Sequence, residues 1–241
     1  FGFGVVGEGL YKILQQTPSL KATIKKVCIK NPEKKRNAPA ELFTTDRNEI
    51  LNDEDINVIV EVINESEPAF EIASTALLSG KAVVSASKKM IAENLSELYE
   101  LQQQYKVPFL YEGACCASIP IIRNLEEYYD NDLLNSVEGI INGSTNYILT
   151  KIFEENISFA SALLDAQNLG FAETDPRLDI EGFDPKYKLC ILLLHAFGLF
   201  VKPENIFNFG IQRINDFDIN YARQKNAKIK LIAKCKKINN D

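Results

Sequence analysis

Glu173, Asp175, Asp179, Glu181, Asp184, Lys186 and Lys188 all fall within the stretch 173–188, and Gly170 stands just before it. Asp184 and Lys188 are four residues apart across an expected helix start, so the two can meet on one face. A lysine held near carboxylates can donate a proton to a carbonyl oxygen. The carboxylates could instead seat a substrate ammonium. With no fold to gather them, the same residues read as an acidic surface loop carrying an i,i+4 ion pair.

A second cluster opens the sequence, FGFGVVGEGLYKIL. Gly2, Gly4 and Gly7 form G-x-G-x-x-G, followed by an apolar helical pattern through Leu10, Ile13 and Leu14. In a strand–turn–helix setting the first glycine permits the tight turn. The second lets backbone approach a pyrophosphate, and the third lets helix and strand pack closely. The helix N-terminus then faces the phosphates with unsatisfied N–H groups. Only Phe1 stands where a strand should precede the turn, so the sequence is expected to begin in mid-strand. The end of the next strand offers Lys30, Asn31, Lys34, Lys35 and Arg36, where NAD sites usually place an acid for the ribose hydroxyls. A cationic end suits a 2′-phosphate and leans toward NADP; a solvated basic loop is the alternative. Lys88 and Lys89 follow the strand AVVS, at the C-terminal edge where open α/β sheets bind ligands.

Other chemistries are poorly served. The single histidine, His195, sits inside LCILLLHAFG and reads as a hydrogen-bonded core residue. A di-histidine metal site is excluded, and the proton must be carried by Lys, Tyr, Asp or Glu. Cys115 and Cys116 invite a nucleophile reading but fit better as small buried loop residues. The five cysteines form no C-x-x-C pair, which argues against a disulfide framework or zinc ribbon and fits a reducing cytoplasm. Of the 241 residues, 27 are basic and 33 acidic, a net charge of −6, and the pI is near 5.1. A nucleic-acid binder would usually be basic. The longest apolar stretch, 189–201, is too short to span a bilayer.

The elements that must position these groups alternate. Strands are expected at 23–30, 56–63, 82–85 and 107–111, with helices at 68–78 and 92–105 and a loop at 31–41. That rhythm implies a doubly wound parallel sheet. It changes after residue 118. Helices are then expected at 119–129, 146–155 and 159–169, the last capped by Gly170, and a long one with Pro185 in its first turn ending at Phe197. Strands are expected at 136–141 and 206–211, and a helix or strand at 228–236. The fold class is therefore α/β: a Rossmann-type domain over 1–118, then an α/β or α+β domain over 119–241.

The combination of GFGVVGEGL, NVIVEVINESEPA, GKAVVSASKK, YEGACCASIPII, EGIINGSTNYILTKI and AQNLGFAETDPRLDIEGFDPKYKL resembles homoserine dehydrogenases over nearly the whole length. The resemblance implies NAD(P)H-dependent reduction of aspartate 4-semialdehyde to homoserine, on the route to threonine, methionine and isoleucine. It also implies a second domain that carries catalysis and dimerisation, in a cytoplasmic homodimer with a small-molecule substrate and no nucleic-acid or membrane partner. By motif position Lys188 is the proton donor and Asp184 its acidic partner. Glu173 binds the substrate amino group, with Asp179 and Thr145 on the substrate side. Gly2, Phe3, Gly4, Val5, Val6, Gly7, Lys30, Asn64, Lys88 and Gly170 lie along the cofactor. A structural Na⁺ is implied on the carbonyls of Glu112, Cys115, Ala117 and Ile119, since carbonyl oxygens suit a hard cation.

The family pattern is broken in places. T-A-N-K is replaced by Ser85-Ala86-Ser87-Lys88, a glycine pair by Asn64-Glu65, and V-G-G-G-I-P by Cys115-Cys116-Ala117-Ser118-Ile119-Pro120. Members continue past a point like Asp241 into further sheet. Two rivals remain at this stage: an NADP reductase of another aspartate-derived substrate, and a noncatalytic nucleotide-binding regulator of the same fold.

Overall fold

The computed structural model of the protein describes residues 1–238, and its chain folds as two compact units that meet in sequence at Ser118 and Ile119. The last three residues of the expected second domain, 239–241, lie outside the described residues.

The first unit runs α1 (Val5–Gln16), β1 (Val27–Cys28), β2 (Phe43–Thr44), α2 (Asn48–Leu51), β3 (Val58–Glu61), α3 (Ser66–Leu78), β4 (Ala82–Ser85), α4 (Lys88–Tyr105), β5 (Phe109–Leu110) and α5 (Glu112–Cys116). β1 pairs parallel with β2, and β3, β4 and β5 pair parallel in that order. The opening residues join the two sets. Phe1 accepts from Val62 N–H (3.0 Å) and donates to Val60 O (2.6 Å), the slanted pattern of a parallel pair. Gly2 N–H donates to Cys28 O (3.1 Å) on the other side. The layer thus reads β2, β1, residues 1–3, β3, β4, β5, the strand order of a doubly wound dinucleotide fold.

The apolar run 56–63 forms β3, and Ile59 is buried as a covered strand requires. α3 turns Ala69, Ala73 and Ala76 inward, each fully buried, so small side chains let it lie close to its neighbours. Gly80 ends it with φ +75, a conformation that costs other residues strain. Two local expectations are corrected, and one short strand is added. The strand at 23–30 is ladder-paired only at Val27–Cys28. β2 lies just beyond the expected 31–41 loop, too short for period-2 alternation to reveal. α4 begins at Lys88, four residues earlier than expected, so Lys88 and Lys89 occupy its first turn.

The second unit runs α6 (Ile121–Tyr128), β6 (Ser136–Gly139), α7 (Gly143–Glu155), α8 (Phe159–Asn168), α9 (Arg177–Ile180), α10 (Phe183–Phe197), α11 (Asp216–Gln224) and β7 (Ala233–Lys236), with β6 and β7 antiparallel. Ile148, Leu149 and Ile152 of α7 pack on Ala162 and Ala166 of α8, with Ile211 and Ile219 closing the core. Leu189 and Leu193 of α10 lie against Ala233 of β7. α8 ends in a Schellman motif: Gly170 N–H donates to Gln167 O and Phe171 N–H to Ala166 O, with Gly170 at φ +77.

The expected strand at 206–211 does not form. Its polar groups bond the corner before α10 instead: Ile211 N–H reaches Ile180 O (2.7 Å) and Asn208 Nδ2 reaches Glu181 O (2.8 Å). A Cβ on Gly210 would stand 2.1 Å from Ile180 O, so only glycine permits this approach. The alternative left open at 228–236 resolves as the strand β7.

Candidate active site

Within the first unit the glycine turn divides by purpose. A Cβ on Gly2 would meet Val62 O at 2.8 Å, and one on Gly7 would meet Gly2 O at 2.5 Å. These two glycines are demanded by the chain's own packing. A Cβ on Gly4 would meet nothing within 4 Å. Gly4 is the N-cap of α1 and supplies no side-chain cap, and Val5 and Val6 beside it are exposed. An open backbone surface at an uncapped helix start is what an anionic pyrophosphate requires, so the residues present fit a dinucleotide. The Phe3 side chain is turned inward. Its ring is buried against Val27 and Ile29 and meets Phe43 edge-on at 5.1 Å, which leaves only its backbone for a ligand.

A cleft of about 1020 Å³ lies alongside, lined by Cys28, Lys30, Asn64, Glu65 and Lys89 among others. Exposed Lys30 is held by Glu65 at 2.7 Å, and that bond raises the lysine's pKa. Lys88 is half-buried at the start of α4. The same unit holds a group that sequence reasoning passed over. Glu61 is fully buried at the end of β3. It accepts from Ser85 Oγ (2.5 Å) and Ile63 N–H (2.8 Å), and Ser87 Oγ lies 2.8 Å from both Glu61 Oε1 and Ile63 O. The acid inside the apolar run INVIVEVI was the available signal, because a buried charge demands partners.

The four residues expected around Na⁺ stand near the end of this unit and the start of the next. Glu112 and buried Cys115 are in α5, Ala117 has φ +51, and Ile119 O accepts from Ile121 N–H at 2.8 Å. Among the described residues no three His, Cys, Asp or Glu side chains are grouped to hold a metal, so an ion here would depend on backbone oxygens.

Within the second unit the acidic segment folds into a built site. Pro185 sits in the first turn of α10, and Asp184 and Lys188 project from the same face. Lys188 Nζ lies 2.7 Å from Asp184 Oδ2 and donates to Ile141 O, also at 2.7 Å. The two side chains are only 13% and 3% exposed. Asn142, the N-cap of α7, completes the arrangement. Its Nδ2 donates to Asp179 Oδ1 (2.7 Å) and Asp184 Oδ2 (2.9 Å), and its Oδ1 accepts from Thr145 N–H (2.8 Å) and Thr145 Oγ1 (2.7 Å). Sequence reasoning missed this residue; N-G-S-T before an apolar helix was a capping signal it did not use.

Thr145, expected to contact substrate, is fully buried with its hydroxyl directed at Asn142. It reaches the site through that amide. Its neighbour Ser144 donates to Phe171 O (2.6 Å) and ties the start of α7 to the loop after α8. Glu173 is exposed in that loop, where Gln167 Nε2 holds its carbonyl at 3.0 Å. Gly170 is exposed at the head of the same loop. Asp175 turns back on Arg177, which pulls its carboxyl down to about 2, an ion pair at the surface. His195 Nδ1 lies 2.7 Å from Glu126 Oε1 and joins α10 to α6. The Cys190 thiol, completely buried in α10, is pushed up to about 11 by burial.

Comparison with known proteins bears on both units. Residues 120–240 match the homoserine dehydrogenase family, and residues 2–112 match the homoserine dehydrogenase NAD binding domain. The chain belongs to the homoserine dehydrogenase family. It is 38% identical over 240 residues to a homoserine dehydrogenase of Bacillus subtilis (strain 168), covering 96% of this chain and 55% of that relative. The crystal structure of a homoserine dehydrogenase from Thiobacillus denitrificans superposes with a TM-score of 0.92 at 32% identity, over 99% of this chain and 57% of that one. A hyperthermophilic archaeal homoserine dehydrogenase mutant in complex with NADPH matches at TM-score 0.68 and 30% identity, over 83% of this chain and 58% of that one. The chain thus spans little more than half the length of each of these three relatives. No helix among the described residues is long and apolar enough to cross a membrane.

Proposed function

We propose that the protein is a homoserine dehydrogenase, which reduces aspartate 4-semialdehyde to homoserine with a nicotinamide cofactor. The observation that carries this is the buried Lys188–Asp184 pair, its ammonium anchored on Ile141 O. A cation withdrawn from water is costly unless paired, and here it is paired in a way that leaves Nζ a further proton. Residues 1–118 are read as the nucleotide-binding domain and residues 119–241 as the catalytic and dimerisation domain. Gly4, Val5, Val6 and the backbone of Gly2, Phe3 and Gly7 cradle the pyrophosphate. Asn64, Lys88 and Gly170 serve the nicotinamide end.

A reduced nicotinamide held by these residues would supply the hydride that the aldehyde carbon accepts. Glu173 holds the substrate ammonium by a charge-assisted hydrogen bond. Lys188 Nζ delivers its proton to the developing alkoxide oxygen, directly or through water, and its charge stabilises that oxygen before transfer. Asp184 keeps Nζ oriented. Asp179 stands on the substrate side.

NADP is the favoured cofactor, because Lys30 at the strand end offers a cation where NAD sites carry an acid. The NADPH complex of the archaeal relative supports this choice. Glu65 now holds that lysine, so the 2′-phosphate must compete with it. Na⁺ on the carbonyls of Glu112, Cys115, Ala117 and Ile119, a homodimer and a cytoplasmic setting complete the reading.

The test follows NADPH and NADH absorbance with the full-length protein and aspartate 4-semialdehyde. Wild type should turn over, with NADPH the faster cofactor. Lys188→Ala should lose about 10²–10⁴ in kcat, as removal of a general acid does. Unchanged kcat in that variant would sink the assignment, and cofactor binding without turnover in wild type would favour a noncatalytic nucleotide-binding protein.

A further inference from the structure

Asn142 joins parts of the site that the reaction scheme treats separately. It is 4% exposed, and all four hydrogen-bonding positions of its amide are filled. Capping α7 needs only Oδ1, a task that serine or aspartate performs equally well. What asparagine adds is Nδ2, and both of its protons go to carboxylates, Asp179 of α9 and Asp184 of α10.

An aspartate here would bring a third carboxylate against two others. A serine would leave both without the donor that holds them together. The preceding residue acts on the other member of the pair, since Ile141 O takes Lys188 Nζ. Two consecutive residues at the start of α7 therefore grip the ion pair from both ends, through Nδ2 on Asp184 and through a carbonyl on Lys188.

We infer that Asn142 is a positioning residue for the reaction: its Nδ2 locks Asp179 and Asp184 into one rigid acceptor set and thereby fixes where Lys188 Nζ presents its proton. This rests on the proposed dehydrogenase reading. It assigns Asn142 a role distinct from stability, because a cap alone would not need the amide nitrogen. The effect belongs in kcat rather than in KM. Misplacing a proton donor by a fraction of an ångström weakens the transition state while leaving ground-state binding nearly intact.

The experiment uses Asn142→Ser and Asn142→Asp in the full-length protein, each keeping a capping oxygen. Asn142→Ser should lower kcat for aldehyde reduction about 10–100-fold with KM within about threefold and an unchanged circular dichroism spectrum. Asn142→Asp should lower kcat in the same way, because a third carboxylate replaces the amide donor between Asp179 and Asp184. A kcat within twofold of wild type in either Asn142→Ser or Asn142→Asp, or loss of folded structure in both variants, would each overturn the inference. Wild type that fails to reduce the semialdehyde would instead overturn the functional reading and the inference with it. An active wild type beside an unaffected Asn142→Ser would remove the inference alone.

Discussion

Asp184→Asn replaces a carboxylate by an isosteric amide and takes from the largely buried Lys188 the negative charge 2.7 Å from its Nζ. Removing one member of a buried ion pair costs about 3–5 kcal/mol, because the remaining charge is desolvated without its partner. The lower end applies, since Lys188 keeps its bond to Ile141 O and 13% of its surface. Asp184→Asn should therefore destabilise by about 3 kcal/mol. Lys188→Met should cost about as much, because the buried Asp184 carboxylate then loses the cation beside it.

The double variant removes both members of the pair together, and its methionine fills a similar volume. It should lie within about 2 kcal/mol of wild type, as replacement of whole buried pairs often does. Simple addition predicts about 6 kcal/mol, so the coupling should reach about 4 kcal/mol, at or above the usual range for contacting residues. The assay is urea unfolding by circular dichroism at pH 7, fitted with common slopes. A double variant as unstable as the sum of the singles would refute the reasoning. So would Asp184→Asn within about 0.5 kcal/mol of wild type, the range of ordinary surface changes.

Gly210→Ala should cost more than about 3 kcal/mol, since its Cβ would collide with Ile180 O at 2.1 Å. Gly4→Ala, whose Cβ meets nothing in the chain, should cost at most about 1 kcal/mol in urea melts, as alanine does at an N-cap, while weakening NADPH binding in a fluorescence titration. Asn215→Ala removes a capping box, in which Asn215 Oδ1 takes Phe217 and Asp218 N–H and Asp218 answers on Asn215 N–H. It should lower stability by about 1 kcal/mol in thermal or urea melts. Cys190 is neutral when buried, with its pKa raised from 9.0 to about 11. The stability this represents is fully present below pH 9 and is lost as pH rises toward 11, about 2–3 kcal/mol across that window. Cys190→Ala should flatten the decline in alkaline urea melts, and native Cys190 should resist a thiol reagent at pH 8.

Much of the architecture was legible because its causes are local. The run 56–63, the segment AVVS and the Pro185 helix announced β3, β4 and α10 by burial pattern and by proline chemistry. The expected strand at 206–211 failed for the opposite reason. Polar groups there bond a corner set by Ile180 and Glu181, and periodicity within the segment carries no trace of that partner. α11 was missed although N-x-x-D at 215–218 signalled its start. Its helical stretch is polar, so hydrophobic spacing was silent.

The sequence by itself determined the Asp184–Lys188 contact, because helix geometry brings residues four apart onto one face. It likewise determined which glycines could form the opening turn, and the family to which the chain belongs. Tertiary structure alone decided that Asn142 reaches Asp179 and Asp184, 37 and 42 residues away. It also decided that Thr145 turns inward and that Glu61 is sealed by two serines. Such partners are chosen when packed elements bring distant polar groups out of water together. The cost of leaving them unpaired then selects the geometry, and no local pattern records it.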